Sequence, residues 1–457
     1  MKLLRIFGFV FISLTSMSQG YELQFHVRGI TDTVAYLGYH FGNQKYVQDT
    51  SEIRDNKAVF MGPKLLLPGI YFFYSANTFF EFVIDDQKFA INTSAPDFIK
   101  TAEVKGSEIN KDFMDLQRYN LVKQNEAKEL QNRITTSEGE VKENLESELK
   151  NLNESAVGFQ NIIIDKHKDD FLGKFLTALQ KPKVPDSIGL EGNDREFARF
   201  AHYKTHYFDN FDLANESLLR SPVYHSVITE YLDKITMQHP DSLISSADVI
   251  LSQAMKTEAT FRYCLVTLSN KFESSNIMGF DKVFVHIIEE YYLTGKASWA
   301  DDDLLDRLKN RVNQIKPGLI GNQAPSLSLV DTEMNPLDLE HIQAKFIVLY
   351  FYDHDCGHCK KKTPLLLSQY SSLKEIDVEV IAVDISTDFE KWKGYVSSNN
   401  LTFLNGADPY VRSNFRYEYD IRTTPTVYIL DENKTIVGKK IDVEKIPDFI
   451  NYLSRNN

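Results

Sequence analysis

Three hydrophobic periods follow one another along the 457-residue chain. Residues 21 to about 104 carry short strand-like runs, Glu22–Val27, Thr33–Gly38, Ile70–Tyr74 and Phe79–Ile84, punctuated by Leu67-Pro68-Gly69 and Asp85-Asp86. That pattern predicts an all-β, sandwich-like domain. From Ser107 to about Asn310 the period becomes helical: Val141, Leu145, Leu149, Leu152, Ala156 and Phe159 recur at spacings of three and four and form one apolar stripe. The stretch Lys128 to Asn153 is polar enough to project as a helical hairpin. In the block from Asp194 to Phe211, the residues Phe197, Phe200, Tyr203, Tyr207, Phe208 and Phe211 stand at helical spacing and read as core rather than as a ligand box. Beyond residue 316 the runs Phe346–Tyr352 and Val427–Leu430 read as buried strands with helical pattern between them, an α/β signature. The predicted organisation is a β-sandwich-like domain over 21–104, an α-helical domain over 105–315 and an α/β domain over 316–457. About three domains is also what the length suggests, at roughly 100–200 residues each.

The chemistry sits at the end of the first buried strand, in Cys356-Gly357-His358-Cys359. Two cysteines spaced by two residues on a strand-to-helix corner read as a redox dithiol. A sulfur at a helix N-terminus faces unpaired N–H groups and the positive end of the helix dipole, which stabilise a thiolate, so Cys356 is the predicted nucleophile. Cys359, almost one turn further round, is placed to attack the mixed disulfide and is the predicted resolving thiol. His358, between them, favours the Cys356 thiolate and so makes the disulfide easier to reduce. Lys360, Lys361 and Lys362 add positive charge, or form an ordinary solvated helix face; Asp353 and Asp355 act the other way. Two other readings compete. A closed zinc site needs four ligands, and the chain has one further cysteine, Cys264, with His354 and His358 as neighbours of the pair. A structural disulfide would close a ring so small that it removes little unfolded-state entropy.

In this order, the strand, the Cys356–Cys359 corner and then Thr423-Thr424-Pro425-Thr426 leading into Val427–Leu430 resemble a thioredoxin domain. The approach Lys316–Pro325 and the 66 residues from Cys359 to Pro425, more than one crossover needs, are similar to the TlpA/ResA-like exported thiol-disulfide oxidoreductases. The resemblance implies a thioredoxin fold with an insertion, a cis Pro425 lying against the dithiol, and Thr424 presenting its backbone to a client strand. The residue-level alternative is an ordinary trans proline at the start of an edge strand. Resemblance also extends to the whole arrangement, since a small β-domain and a helical middle domain precede thioredoxin modules in exported bacterial proteins. Two positions depart from the family. Tyr350 stands where thioredoxins have a buried Asp, and Lys362 where related members carry a Glu. The proton acceptor for Cys359 is thereby left open among Asp353, Asp355, a carboxylate from elsewhere, and water.

Composition narrows the function classes. A net charge of −13 argues against nucleic acid and anionic membrane surfaces, because phosphate binding needs clustered cations. Met1–Arg5 followed by Ile6–Ile12 and the small residues around Ser16–Ser18 has the layout of a secretory signal over 1–20, with an uncleaved anchor as the alternative. No cysteine precedes Cys264, so the lipoprotein form of that signal is not expected. Three cysteines are too few for a protein stapled by disulfides in an oxidising compartment, which favours a working dithiol. Cys264 reads as a buried apolar thiol. His202 and His206, four apart, lack a third metal ligand, and His286-Ile287-Ile288-Glu289-Glu290 lacks the second histidine of an inverted zinc-protease motif.

These readings converge on a soluble, exported, periplasmic thiol-disulfide oxidoreductase that needs no cofactor or metal. Cys356 attacks a disulfide of a client protein, Cys359 resolves, and Thr424 and Pro425 hold the client. By resemblance, a membrane thiol reductant of the transmembrane-reductase type resets the pair, which favours reductase work; the Gly-His dipeptide, as in protein disulfide isomerase, pulls toward oxidase or isomerase. A cell-envelope binding or assembly protein with a vestigial dithiol is the alternative from another class. A peroxidase is a third, less favoured because Tyr352-Asp353-His354-Asp355 does not place Pro and Thr ahead of the reactive cysteine.

Overall fold

The computed structural model describes residues 20–185 and 191–456, so the signal-like segment 1–20 lies, but for Gly20, outside the described residues. The chain forms two compact units: residues 1–235 with 255–260, and residues 236–254 with 261–457.

The first unit begins with eight strands, β1 (Tyr21–Arg28), β2 (Val34–Phe41), β3 (Gln44–Glu52), β4 (Lys57–Gly62), β5 (Gly69–Ser75), β6 (Thr78–Ile84), β7 (Lys88–Ser94) and β8 (Glu103–Lys105). They make two four-stranded sheets, ordered β4-β1-β7-β8 and β3-β2-β5-β6. Alternation in β1 turns Leu23, Phe25 and Val27 inward, where they meet Leu37, Phe73, Phe80 and Phe82 of the other sheet. The Phe25 ring lies 5.1 Å from Phe82 and 5.3 Å from Phe73, so side chains from both inner faces fill one aromatic core, as in a β-sandwich. A Cβ on Gly38 would come within 2.1 Å of the Phe72 ring, which explains a glycine in mid-strand.

Helices Glu108–Thr135 and Gly139–Lys166 form the expected antiparallel hairpin, longer than the polar segment alone suggested. Ser107 caps the first by accepting from the Asn110 N–H at 3.2 Å. Gly139, at φ +58°, takes the left-handed conformation that opens the second. Leu130, Ile134 and Leu145 pack with Leu149 and Leu152, whereas Val141 of the predicted stripe, close to the turn, is exposed. At the hairpin base, buried His167 hydrogen-bonds both Asp112 (2.7 Å) and Asp170 (2.6 Å). The aromatic block divides: Tyr207 and Phe211 are core, but Phe197 and Phe200, on helix Gly192–Thr205, are exposed. Their helical spacing predicted a core face that this helix does not bury.

In the second unit a seven-stranded sheet follows helices Pro240–Ala254, Glu258–Glu273 (from Phe261 on), Phe280–Ile287 and Asp302–Ile315. Its strands are β9 (Ser328–Val330), β10 (Pro336–Asp338), β11 (Phe346–Tyr352), β12 (Val378–Asp384), β13 (Leu404–Ala407), β14 (Thr426–Asp431) and β15 (Ile436–Lys439), in the order β10-β9-β13-β12-β11-β14-β15. Every residue of β11 is buried. Its even-numbered residues face Leu366, Leu373, Trp392 and Ile450 on one side of the sheet; its odd-numbered residues face Leu327, Phe415 and Tyr419 on the other. A strand covered on both faces reads as a continuous apolar run.

Helices of the segment 105–315 contribute to both units. Its later helices pack in the same unit as the α/β sheet, tied by Arg311, which forks onto Asp420 at 2.6 and 2.9 Å, and by buried Lys439, whose ammonium reaches Asp281 and the Gly318 carbonyl, both at 2.6 Å. These partners are more than a hundred residues apart in the chain, and local periodicity carries no sign of them.

Candidate active site

Strand β11, central in the sheet, ends in a turn where the Cys356 N–H donates to the Asp353 carbonyl at 3.0 Å. Helix Gly357–Glu375 follows, with Cys356 as its N-cap residue and no side chain capping it. The orphan N–H groups of that first turn are thus left facing the sulfur. Burial raises the Cys356 pKa, but a hydrogen bond with the Thr424 side chain, the backbone N–H groups of Cys359 and His358, and contact with the Cys359 thiol outweigh it, and the net shift is downward. Cys359, fully buried one turn in, is pushed up to about 11, chiefly by burial, with the neighbouring Cys356 adding to the rise. Both thiols are reduced. The pair is therefore split into one sulfur that ionises readily and one that holds its proton, the division of labour that thiol exchange requires.

Across from the helix, the peptide bond Thr424–Pro425 is cis. The Cys356 thiol donates to the Thr424 carbonyl at 3.5 Å, so these residues, 68 apart in sequence, meet at the dithiol. The His358 imidazole is exposed; what this residue sets against Cys356 is its backbone N–H. Asp355 is ion-paired with Lys391, which lowers its carboxyl pKa, and a second cation, Lys360, stands at 3.9 Å. Lys362 is engaged with Glu444 at 2.6 and 2.7 Å.

Below the dithiol lies a polar cluster that sequence reasoning did not single out. Tyr350, in the thioredoxin Asp position, is fully buried and shares a hydrogen bond with Thr363 at 3.0 Å. Asp384, at the end of β12, is fully buried and bonds the His354 ring at 2.9 Å. The available signal was a carboxylate closing the apolar run Val380–Val383.

Residues 320–439 match the AhpC/TSA family, 98–317 a domain of unknown function (DUF5106) and 21–113 another (DUF4369). Thiol-disulfide oxidoreductase ResA of Bacillus cereus is 26% identical over 136 residues, 30% of this chain and 78% of that protein. A domain of a possible thiol-disulfide isomerase from Cytophaga hutchinsonii is 34% identical over 30% of this chain and 95% of its own length, with a TM-score of 0.29 over the whole. The chain belongs to the thioredoxin-like thiol-disulfide oxidoreductases. A thioredoxin-like protein from Bacteroides caccae, 18% identical, shares the fold over 60% of this chain and 98% of its own, at a TM-score of 0.50.

His202 and His206 stack on each other with ring centres 4.2 Å apart, and His206 bonds Asp209 at 2.7 Å. His286 bonds Asp248 at 2.9 Å, and Cys264 is fully buried within its helix. Among the described residues no group of three His, Cys, Asp or Glu side chains converges as a metal site.

Proposed function

We propose that this oxidoreductase reduces disulfides of client proteins outside the cytoplasm. The observation that carries the reading is the split between Cys356, whose thiolate the helix amides and Thr424 favour, and Cys359, whose proton is held by burial. Cys356 attacks a client disulfide, and the first client sulfur leaves as a thiolate. Cys359 then attacks the mixed disulfide at Cys356, the second client sulfur leaves, and the two electrons of the dithiol have passed to the client. The backbone at Thr424 and Pro425 offers a strand-like docking edge for the client. His358 assists through its amide, with the exposed imidazole a minor contributor because solvent screens its charge.

The resemblance to TlpA/ResA-like proteins favours reductase work, with the pair reset by a membrane thiol reductant, and hence a potential nearer thioredoxin, about −270 mV, than DsbA, about −120 mV. The signal-like leader over 1–20 supports export to the periplasm. No described helix is long and apolar enough to cross a membrane. The test is insulin reduction by the purified chain: Cys356→Ser abolishes it, while Cys359→Ser accumulates mixed disulfides. Retained activity in Cys356→Ser would sink the assignment of the nucleophile, and a Cys359→Ser variant that traps nothing would move the binding-protein reading to the front.

A further inference from the structure

Strands β11, β12 and β13 are parallel and end abreast: Tyr352 stands opposite Asp384, and Asp384 opposite Ala407. On the other side of β11, antiparallel β14 begins with Thr426 opposite Phe351. Four loops therefore share one edge of the sheet: 408–414 after β13, 385–388 after β12, 353–356 with Cys356 after β11, and 422–425 with Pro425 before β14. The carboxyl edge of parallel strands is where open α/β sheets bind ligands. Cys356 thus has the proposed client-docking backbone on one side and loop 408–414 on the other, two strands away.

That loop is pinned at both feet. Asp408, 5% exposed, accepts from the Arg412 and Ser413 N–H groups at 3.0 and 2.8 Å, and its carbonyl accepts from the Val411 N–H at 3.3 Å. After the loop, fully buried Phe415 stacks on Phe351 of β11 with ring centres 5.7 Å apart, and Arg416 forks onto the Ile385 carbonyl at 2.9 and 2.7 Å. Between these anchors two large apolar side chains turn outward, Tyr410 at 59% and Val411 at 60% exposure. Other exposed positions of the four loops are polar, among them Asp355, Asp388, Arg422 and Thr423. Val411 also holds φ at +51°, in the left-handed region, which a β-branched residue enters only under strain and which Gly or Asn would fill at lower cost. Burial does not account for a valine there, since its side chain is exposed. Strain of this kind, held by a firm surround, clusters at ligand-contact sites.

We propose that Tyr410 and Val411 form an apolar subsite that selects client segments with an aliphatic or aromatic side chain about three residues from the cysteine that Cys356 attacks. Two strand spacings separate β11 from β13, roughly 10 Å along the edge. An extended client covers that distance in about three residues. A client held at Thr424 with its cysteine on Cys356 runs from β14 to β11, and the same direction carries it past loop 385–388 to Val411. There its apolar side chain leaves water against Val411 and Tyr410, one face of whose ring is covered by the Arg412 guanidinium at 4.8 Å. Because both feet of the loop are fixed, the subsite stands formed before the client arrives, and little ordering opposes binding. The contact is remote from the exchanging sulfurs, so it acts on KM and leaves kcat alone.

This inference rests on the proposed thiol exchange at Cys356, and the test keeps the two apart. Peptides dimerised through a single disulfide, identical but for Leu or Ser three residues to either side of the cysteine, are reduced by the full chain. A small disulfide, 2-hydroxyethyl disulfide, is too short to reach the loop and reports on exchange alone. The wild type reduces the Leu peptide with kcat/KM about tenfold above that of the Ser peptide, the difference lying in KM. Tyr410→Ser combined with Val411→Asn brings the Leu peptide down to the Ser value. Equal kcat/KM for the two peptides in the wild type, or a preference that survives the double substitution, overturns the proposal. Val411→Asn by itself melts at or above the wild-type temperature, since Asn tolerates the left-handed backbone; a lower melting temperature would place Val411 in the packing of the domain and overturn its role as a contact. A wild type that reduces neither peptide nor 2-hydroxyethyl disulfide removes the thiol-exchange reading itself, and the subsite with it.

Discussion

Lys439→Met is the most searching test of how the second unit is built. The Lys439 side chain is 3% exposed; its ammonium reaches Asp281 and the Gly318 carbonyl, each at 2.6 Å, and lies 5.4 Å from the centre of the Tyr428 ring. Methionine keeps the apolar stem and removes the charge, leaving Asp281, 9% exposed, to accept from the Lys282 N–H at 3.1 Å. Breaking a buried pair from one side costs about 3–5 kcal/mol, because the surviving charge is uncompensated. With a urea m-value of roughly 2–3 kcal/mol/M for a unit of this size, the unfolding midpoint falls by about 1–2.5 M. The chain's two tryptophans, Trp299 and Trp392, both lie in the second unit, so their fluorescence follows that unit alone, which matters because a two-unit chain need not unfold in one step. Adding Asp281→Asn removes the orphaned charge and recovers at least half of the loss. A midpoint shift below about 0.3 M for Lys439→Met, under 1 kcal/mol at that m-value, would refute the argument that this pair ties helix Phe280–Ile287 to strand β15.

Other consequences of the structure are open to measurement. Alkylation of the reduced protein followed site by site rises with pH in two steps, with Cys356 reacting below the usual thiol range and Cys359 only toward about 11; coincident steps would contradict the difference in environment. Equilibration in dithiothreitol buffers places the Cys356/Cys359 couple nearer about −270 mV than about −120 mV, and a value at the latter end would reverse the direction proposed for the enzyme. At the hairpin base, burial disfavours charge on His167, but Asp112 and Asp170 outweigh it and raise its pKa. A raised histidine contributes stability that is complete below about 6.5 and is lost as pH climbs through the folded-state value. Circular-dichroism melts should therefore weaken above that range, and His167→Gln should flatten the dependence; an unchanged slope would remove His167 from the account.

Much of the molecule was legible without coordinates. Short strand-like runs between turns marked β1, β2, β5 and β6, a three-and-four spacing marked the second hairpin helix, and the apolar run Phe346–Tyr352 shortly before Cys356 marked the central strand and its corner. Each of these is a local property, set by which face of a strand or helix must leave water. Phe197 and Phe200 show where that logic stops: helical spacing groups side chains on a face, but only a neighbour can bury it, and here none does.

The amino-acid sequence by itself determined the order of β, helical and α/β segments, the dithiol at a helix start, and the proline loop expected to meet it. Tertiary structure alone decided that the later helices share a unit with the α/β sheet, that Asp384 closes on His354 across 30 residues, and that Cys356 and Cys359 differ in ionisation. The physical reason is common to all three. Burial and charge pairing depend on groups brought together from distant parts of the chain, and a pattern read along the backbone contains the groups without their distances.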